Sequence, residues 1–167
     1  MDRRLIILGG FAAVLAVIVI VVAVAGGGDD GEGGGTATAD PGSRPEVEVP
    51  QGDPPTELVV EDLEEGEGRE VEAGDAIGVQ YVGVLAENGR EFDASWQGDS
   101  PGQPFEFTLG AGEVIPGWDE GVEGMKVGGR RRLVIPPDLA YGPQGQPPDI
   151  GPNATLVFVI DLVSAPS

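Results

Sequence analysis

The sequence contains no cysteine and no histidine, and basic residues are scarce among its 167 residues. Without cysteine the chain can form no disulfide and has no thiolate nucleophile. Without histidine it lacks the commonest general base and metal ligand, so serine–histidine, cysteine–histidine and histidine–zinc chemistries are excluded. Only nine lysines and arginines stand against 29 acids, and the net charge of −20 argues against nucleic acid as a partner.

The one basic cluster is Arg130–Arg132, at the start of a strand pattern that continues to Ile135. Three arginines in a chain this acidic are typical of a solvated strand that pairs with acidic side chains on the surface. We therefore expect solvated arginines here, and no anion site.

One long apolar run, residues 5–25, follows Arg3 and Arg4 and contains no charge. At about 1.5 Å per residue, a helix of this length spans roughly 30 Å, the thickness of a bilayer core. The length favours an uncleaved transmembrane signal anchor over residues 1–25. Ala23–Ala25 has the small-x-small form of a signal-peptidase site, so a signal peptide cleaved near Ala25, and hence a secreted chain, stays open. In both cases the arginines remain cytoplasmic and the rest of the chain is exported.

A glycine-, proline- and acid-rich segment, residues 26–56, follows the apolar run and contains no aromatic residue. Such a composition cannot bury enough apolar surface to fold by itself. The sequence predicts a disordered linker here, and a single folded domain over residues 57–167.

The domain shows mainly strand patterns, which alternate apolar and polar residues. Asn88–Gly89 is a strong hairpin signal after one of these strands, and Leu156, Phe158 and Ile160 lie on one face of the last. A single helix is predicted from Pro116, with proline suited to its first position and acidic residues in its first turn. The fold class is therefore α+β, with an antiparallel sheet curved around one short helix.

Between the last two strands lies a long proline-rich stretch, Pro136–Asn153, with six prolines in 18 residues. A connection this long in a small domain is usually functional or disordered. Its prolines stiffen it, and Tyr141 and Ile150 give it apolar contacts, so we predict an ordered flap.

Seven short motifs keep a recognisable order and spacing through the domain. They are Tyr81–Gly83, Gly89–Asp93, Phe105–Phe107, Gly112–Trp118, Gly121–Val122, Leu139–Gly142 and Asn153–Phe158. In these motifs the domain resembles the FKBP family of peptidyl-prolyl cis-trans isomerases, and the resemblance covers none of the first 56 residues. It implies the family fold, a sheet of five or six antiparallel strands wrapped around a short helix.

The resemblance also implies an apolar cup that has Trp118 as its floor. The implied catalytic residues are Tyr81, Phe92, Asp93, Ile115, Trp118, Tyr141 and Phe158. The implied substrate-binding residues are Phe105, Glu113, Val114 and Ile150. In the family, the backbone N–H matching Ile115 and the hydroxyl matching Tyr141 bind substrate carbonyl groups.

The function implied is acceleration of rotation about Xaa-Pro bonds in exported proteins, with no metal and no cofactor. Proline-containing polypeptides are the expected partners, macrolide inhibitors are possible ligands, and a monomer is expected. Two alternatives stay open at this stage: a binding module or holdase with little turnover, and a purely structural envelope protein.

Overall fold

The computed structural model describes residues 42–166. The predicted anchor or signal segment, and the linker as far as Pro41, lie outside the described residues. Within the described range, no helix is both long and apolar enough to cross a membrane.

Six strands form one antiparallel sheet, in the order β1-β7-β8-β2-β3, and β6 also pairs with β2. Two further strands, β4 and β5, pair only with each other. In chain order the strands are β1 (Val59–Glu64), β2 (Ala76–Leu85), β3 (Glu91–Ala94), β4 (Trp96–Gln97), β5 (Ser100–Pro101), β6 (Phe105–Thr108), β7 (Arg130–Ile135) and β8 (Leu156–Ser164). Asn88 and Gly89 turn β2 into β3, with a positive φ of 71° at Gly89, as the hairpin signal predicts.

The central strands of the sheet, β2, β7 and β8, are buried on both faces. On the inner face, Leu156, Phe158 and Ile160 of β8 join the main core, as their spacing predicts. On the outer face, Val157 of β8 and Val82 of β2 belong to a second, smaller apolar cluster. Because successive side chains of a strand point to opposite faces, a strand that is apolar throughout requires a cover on each side.

The inner face is covered by α1 (Pro116–Val122), the one α-helix among residues 42–166. Proline occupies its first turn, and Asp119 there accepts hydrogen bonds from the backbone N–H groups of Gly110 (2.8 Å) and Gly112 (3.2 Å). Gly117 faces β7, where an added Cβ would lie 2.5 Å from Ile135. Glycine therefore allows the helix to approach the sheet closely. For the described residues, the predicted α+β class with one short helix on an antiparallel sheet is confirmed.

The prediction of solvated arginines at the start of β7 is wrong for two of the three. Arg130 and Arg131 are 3% and 8% exposed. Arg130 bonds both carboxylate oxygens of Asp161, at 2.5 and 2.9 Å, and Arg131 bonds Asp62 at 2.6 Å. The reason is that both faces of β7 are covered: Arg130 donates to the carbonyl of Ser43 at 2.7 Å, and Arg131 donates to the carbonyl of Gly121 in α1 at 2.8 Å. The acids of β1 also pair across to β7, and the pairing extends to Glu64 opposite Arg130.

Residues 43–50, here called the outer strap, lie against the outer face of the sheet. Pro45 is buried, and Val47 and Val49 pack on the second apolar cluster. Their composition predicts a linker, but these residues lie on the sheet, because two valines and a proline meet an apolar surface that composition alone does not reveal.

The flap between β7 and β8 is ordered, as expected. It contains two short 3-10 turns, Pro137–Leu139 and Gly142–Gln144. Gln146 and Ile150 then pair through two backbone hydrogen bonds, of 2.8 and 3.0 Å.

Candidate functional site

An open cavity of about 210 Å³ lies between α1, the inner face of the sheet and the flap. Its lining residues are Tyr81, Phe92, Asp93, Phe105, Glu113, Val114, Ile115, Trp118, Tyr141 and Phe158. Ten of the eleven predicted site residues therefore meet around one cavity. They come from four strands, the start of the helix and the flap.

Aromatic rings surround Trp118, which is 4% exposed. The ring centroids of Tyr81 and Phe158 lie 5.0 and 5.2 Å from that of Trp118, at interplanar angles of 77° and 86°. Phe105 makes a third edge-to-face contact at 6.1 Å. Such contacts set the electropositive edge of one ring against the electronegative face of another and hold the rings in fixed orientations. The result is a rigid apolar floor and wall.

Gly83 makes this wall possible, although the sequence analysis did not single it out as a site residue. An added Cβ would lie 2.6 Å from the ring of Phe158 and 2.8 Å from that of Phe92. These two rings meet edge to face at 5.5 Å. A glycine within an otherwise apolar strand is a signal for such a close approach, and it was available in the sequence.

Two tyrosine hydroxyls are the main polar donors of the cavity. The Tyr81 hydroxyl donates to Asp93 Oδ2 at 2.7 Å. Burial, followed by this hydrogen bond and the charge of Asp93, raises the pKa of Tyr81 well above its usual value. Burial and then the charge of Asp93 also raise the pKa of Tyr141, with no contribution from a hydrogen bond. Both hydroxyls are therefore protonated at neutral pH, and that of Tyr141 is available to a ligand.

The loop before α1 brings Glu113, Val114 and Ile115 to the cavity. Glu113 accepts a hydrogen bond from the backbone N–H of Thr108 at 2.6 Å, which fixes the loop to β6. The carbonyl of Ile115 accepts from Trp118 N at 2.9 Å, while no backbone carbonyl of the described residues accepts from the Ile115 N–H. The Glu113 side chain thus holds the loop in place, and the Ile115 N–H remains available as a hydrogen-bond donor at the cavity.

Ile150 is the one predicted site residue that does not line the cavity. It is 4% exposed and belongs to the main core. Gln146 and Ile150 pair through their backbones, and the Ile150 side chain packs into the main core behind the cavity lining. No cluster of metal-ligating side chains occurs in the described part of the chain.

Comparisons with known proteins agree with this geometry. The family model described as FKBP-type peptidyl-prolyl cis-trans isomerase matches residues 67–163, more than half of the chain. The chain is 53% identical over 122 residues to an FK506-binding protein of Streptomyces anulatus, covering 72% of this chain and 96% of the relative. It is 49% identical over 122 residues to a probable FK506-binding protein of Corynebacterium glutamicum, covering 73% and 98%.

A solved structure shows the same architecture. The crystal structure of AtFKBP13 is 39% identical and superposes with a TM-score of 0.60, covering 68% of this chain and 96% of that one. The match to the family model, the identity to curated relatives along almost their whole length and the aromatic cavity lead to one conclusion: the chain belongs to the FKBP-type peptidyl-prolyl cis-trans isomerases.

Proposed function

We propose that the isomerase binds the proline ring of its substrate against Trp118 and holds the flanking carbonyls with the Tyr141 hydroxyl and the Ile115 N–H. The observation that carries this proposal is the aromatic cavity with two unused donors at its edge. The donors sit on different elements, the flap and the helix start, so they can reach carbonyls on either side of a bound ring.

The chemistry needs no nucleophile. Rotation about a peptide bond meets a barrier of about 18–20 kcal/mol, because twisting the bond removes amide resonance. Twisting also removes charge separation, so an apolar cavity disfavours the planar amide more than the twisted one. A site that binds the twisted geometry more tightly than the planar one lowers the barrier. Donors aimed at the flanking carbonyls contribute orientation.

Exchange NMR on a short Xaa-Pro peptide tests the proposal. The full-length chain at micromolar concentration should speed the cis–trans exchange, and Tyr141→Phe should weaken substrate binding by about 0.5–1.5 kcal/mol, the usual contribution of one neutral hydrogen bond. The thermal unfolding midpoint should stay at the parent value, which separates a lost contact from a lost fold. If the variant matches the parent in kcat/KM, the hydroxyl has no part in binding. If the parent itself gives no acceleration, the chain acts as a binding module.

The substrates we propose are exported polypeptides, met outside the cytoplasm by a domain tethered through residues 1–25. The support is the uncharged run of residues 5–25 after two arginines. Membrane fractionation with N-terminal sequencing decides this point. A membrane-bound chain that retains its first residues is expected, and a soluble mature chain that starts at Gly26 would replace the anchor with a cleaved signal.

The names of the bacterial relatives support a macrolide as a second ligand of the same cavity. FK506 should therefore compete with the peptide in the exchange experiment. Peptide turnover that is unaffected by excess FK506 would remove this ligand from the proposal. A monomer, expected from the resemblance, stays a prediction.

A further inference from the structure

The edge of the sheet beside the cavity is irregular at β3. In the pairing with β2, Asp93 lies opposite Gly83 and Glu91 opposite Val84, so Phe92 has no partner of its own. This is a β-bulge, in which one extra residue is inserted into a strand. It gives the cavity two consecutive side chains, Phe92 and Asp93, where a regular strand would give only one.

A bulge on an edge strand has a neighbouring strand on one side only, and β3 is the last strand of its sheet. The chain just after the bulge is tied to β2 by Ser95. Its Oγ accepts from the Tyr81 N–H at 2.8 Å, and the Ser95 N–H donates to the Tyr81 carbonyl at 3.0 Å. The chain just before the bulge is held to β2 by a backbone hydrogen bond, from the Leu85 N–H to the Arg90 carbonyl at 2.9 Å. A bulge that slipped would turn Phe92 or Asp93 away from the cavity, so a further side-chain contact on this side would help to fix its register.

The outer strap provides such a side-chain contact, in addition to the backbone pairing with β2. The guanidinium of Arg44 binds the carboxylate of Glu91, the residue directly before Phe92. The same guanidinium donates to the carbonyl of Gly98 at 3.0 Å, in the turn between β4 and β5. One side chain therefore joins both ends of the segment that contains the bulge.

The outer strap is itself held firmly to the sheet. Val47 and Val49 pack on the second apolar cluster, to which Ala94 and Trp96 from the bulged segment also belong. Arg130, which is buried, donates to the carbonyl of Ser43 at 2.7 Å, and Arg132 donates to the carbonyl of Glu48 at 3.3 Å. Arg44 thus extends from a fixed backbone, and its own side chain is 25% exposed.

We propose that Arg44 is a positioning residue for the isomerase: through Glu91 and Gly98 it holds the β3 bulge, so that Phe92 and Asp93 face the cavity. This inference rests on the proposed function of the cavity. The outer strap lies outside residues 67–163, which the family model matches. The segment needed for full isomerase activity would therefore begin at about residue 43.

A double-mutant cycle of charge reversals at Arg44 and Glu91 tests the proposal in the full-length chain. Arg44→Glu and Glu91→Arg each place like charges together and should each lower kcat/KM for a neutral Leu-Pro peptide by about threefold to tenfold, the range expected for losing one charged hydrogen-bonded pair. Combining the two changes restores an opposite-charge pair and should bring kcat/KM back to within about twofold of the parent, with the Gly98 contact accounting for the rest. A neutral peptide keeps the change in net charge out of the measurement.

Arg69→Glu is the matched control, because Arg69 also pairs with a carboxylate, that of Asp75 at 2.8 Å, and is remote in the chain from the bulge. It should keep the parent kcat/KM. All variants are assayed well below their measured unfolding midpoints. Single variants equal to the parent, or a double variant no better than the singles, would overturn the proposal. A parent without turnover would instead overturn the proposed function.

Discussion

At the scale of single residues, the ionisation of the two tyrosines of the chain can be used to measure the environment of the cavity. Both line it, and both have a raised pKa, mainly because the ionised phenolate would be buried. The cavity therefore retains neutral hydrogen-bond donors at neutral pH, where both tyrosines can act as donors of the site.

Ultraviolet titration of tyrosinate in the native chain should show less than half ionisation at pH 10.0, the ordinary tyrosine value, where half is expected for a free side chain. In denaturant, both groups should return to about pH 10. The sign follows from linkage: a raised folded-state pKa gives stability that is complete below the unfolded pKa and is lost as pH rises through the folded pKa. Half ionisation of the native chain near pH 10 would contradict the raised pKa of both hydroxyls.

At the scale of elements, the helix was predictable and the outer strap was not. Pro116 and the acidic first turn predict the helix from local sequence, because proline fixes φ and carboxylates favour the helix N-terminus. Residues 43–50 carry no such local signal, since their order depends on an apolar surface formed by four distant strands, β2, β4, β7 and β8. The partners of the β7 arginines could not be predicted for the same reason, because they are distant in sequence: Asp161 lies 31 positions from Arg130 along the chain.

The close contact of α1 with β7 leads us to expect that a substitution in the helix destabilises the domain, although helix propensity alone would predict stabilisation. Gly117→Ala favours the helix by up to about 1 kcal/mol, but its Cβ would meet Ile135, a stiff β-branched side chain with no exposed surface. We expect a net destabilisation of about 1–3 kcal/mol from overpacking, measured by urea unfolding. Gly151→Ala is the control, with nothing within 4 Å, and should change stability by less. A Gly117→Ala chain as stable as the parent would mean that the helix shifts freely on the sheet.

The buried pair between β7 and β8 gives a second prediction at this scale. Burial raises the pKa of Asp161, and Arg130 opposes this shift only in part, so desolvation outweighs the pairing. Asp161→Asn leaves a buried arginine without its counter-charge and should cost about 3–5 kcal/mol in urea unfolding. Replacing both residues with leucine should recover a large part of that loss. A double variant that is less stable than Asp161→Asn would show instead that the ion pair itself stabilises the domain.

At the scale of the whole molecule, charge is the dominant feature. From Glu57 onwards there are 21 acids and six bases, a net charge of −15. Two of the cavity-lining residues are acidic and none is basic. Composition revealed this imbalance at once, and the family resemblance implied the places of Asp93 and Glu113, which both line the cavity. The field of such a surface should favour basic substrates.

Lys-Pro peptides should therefore turn over faster than Glu-Pro peptides, by about twofold to fivefold at low salt, the range of exposed charge interactions. The gap should narrow above about 0.1 M salt, where the Debye length falls to roughly 10 Å. A Leu-Pro peptide should show little salt dependence and serves as the reference in exchange NMR. Equal kcat/KM for the two charged peptides at low salt would show that their side chains lie outside the field of the cavity.

The chain has two tryptophans, and the sheet separates them. Trp118 forms the floor of the cavity on the inner face, while Trp96 belongs to the cluster under the outer strap. Both are nearly buried, and neither indole N–H has a hydrogen-bond partner among the described residues. Their fluorescence should therefore be blue-shifted, and each ring reports on one face. A chain with Trp96→Phe would emit only from the ligand side, and its emission would follow binding with no attached dye.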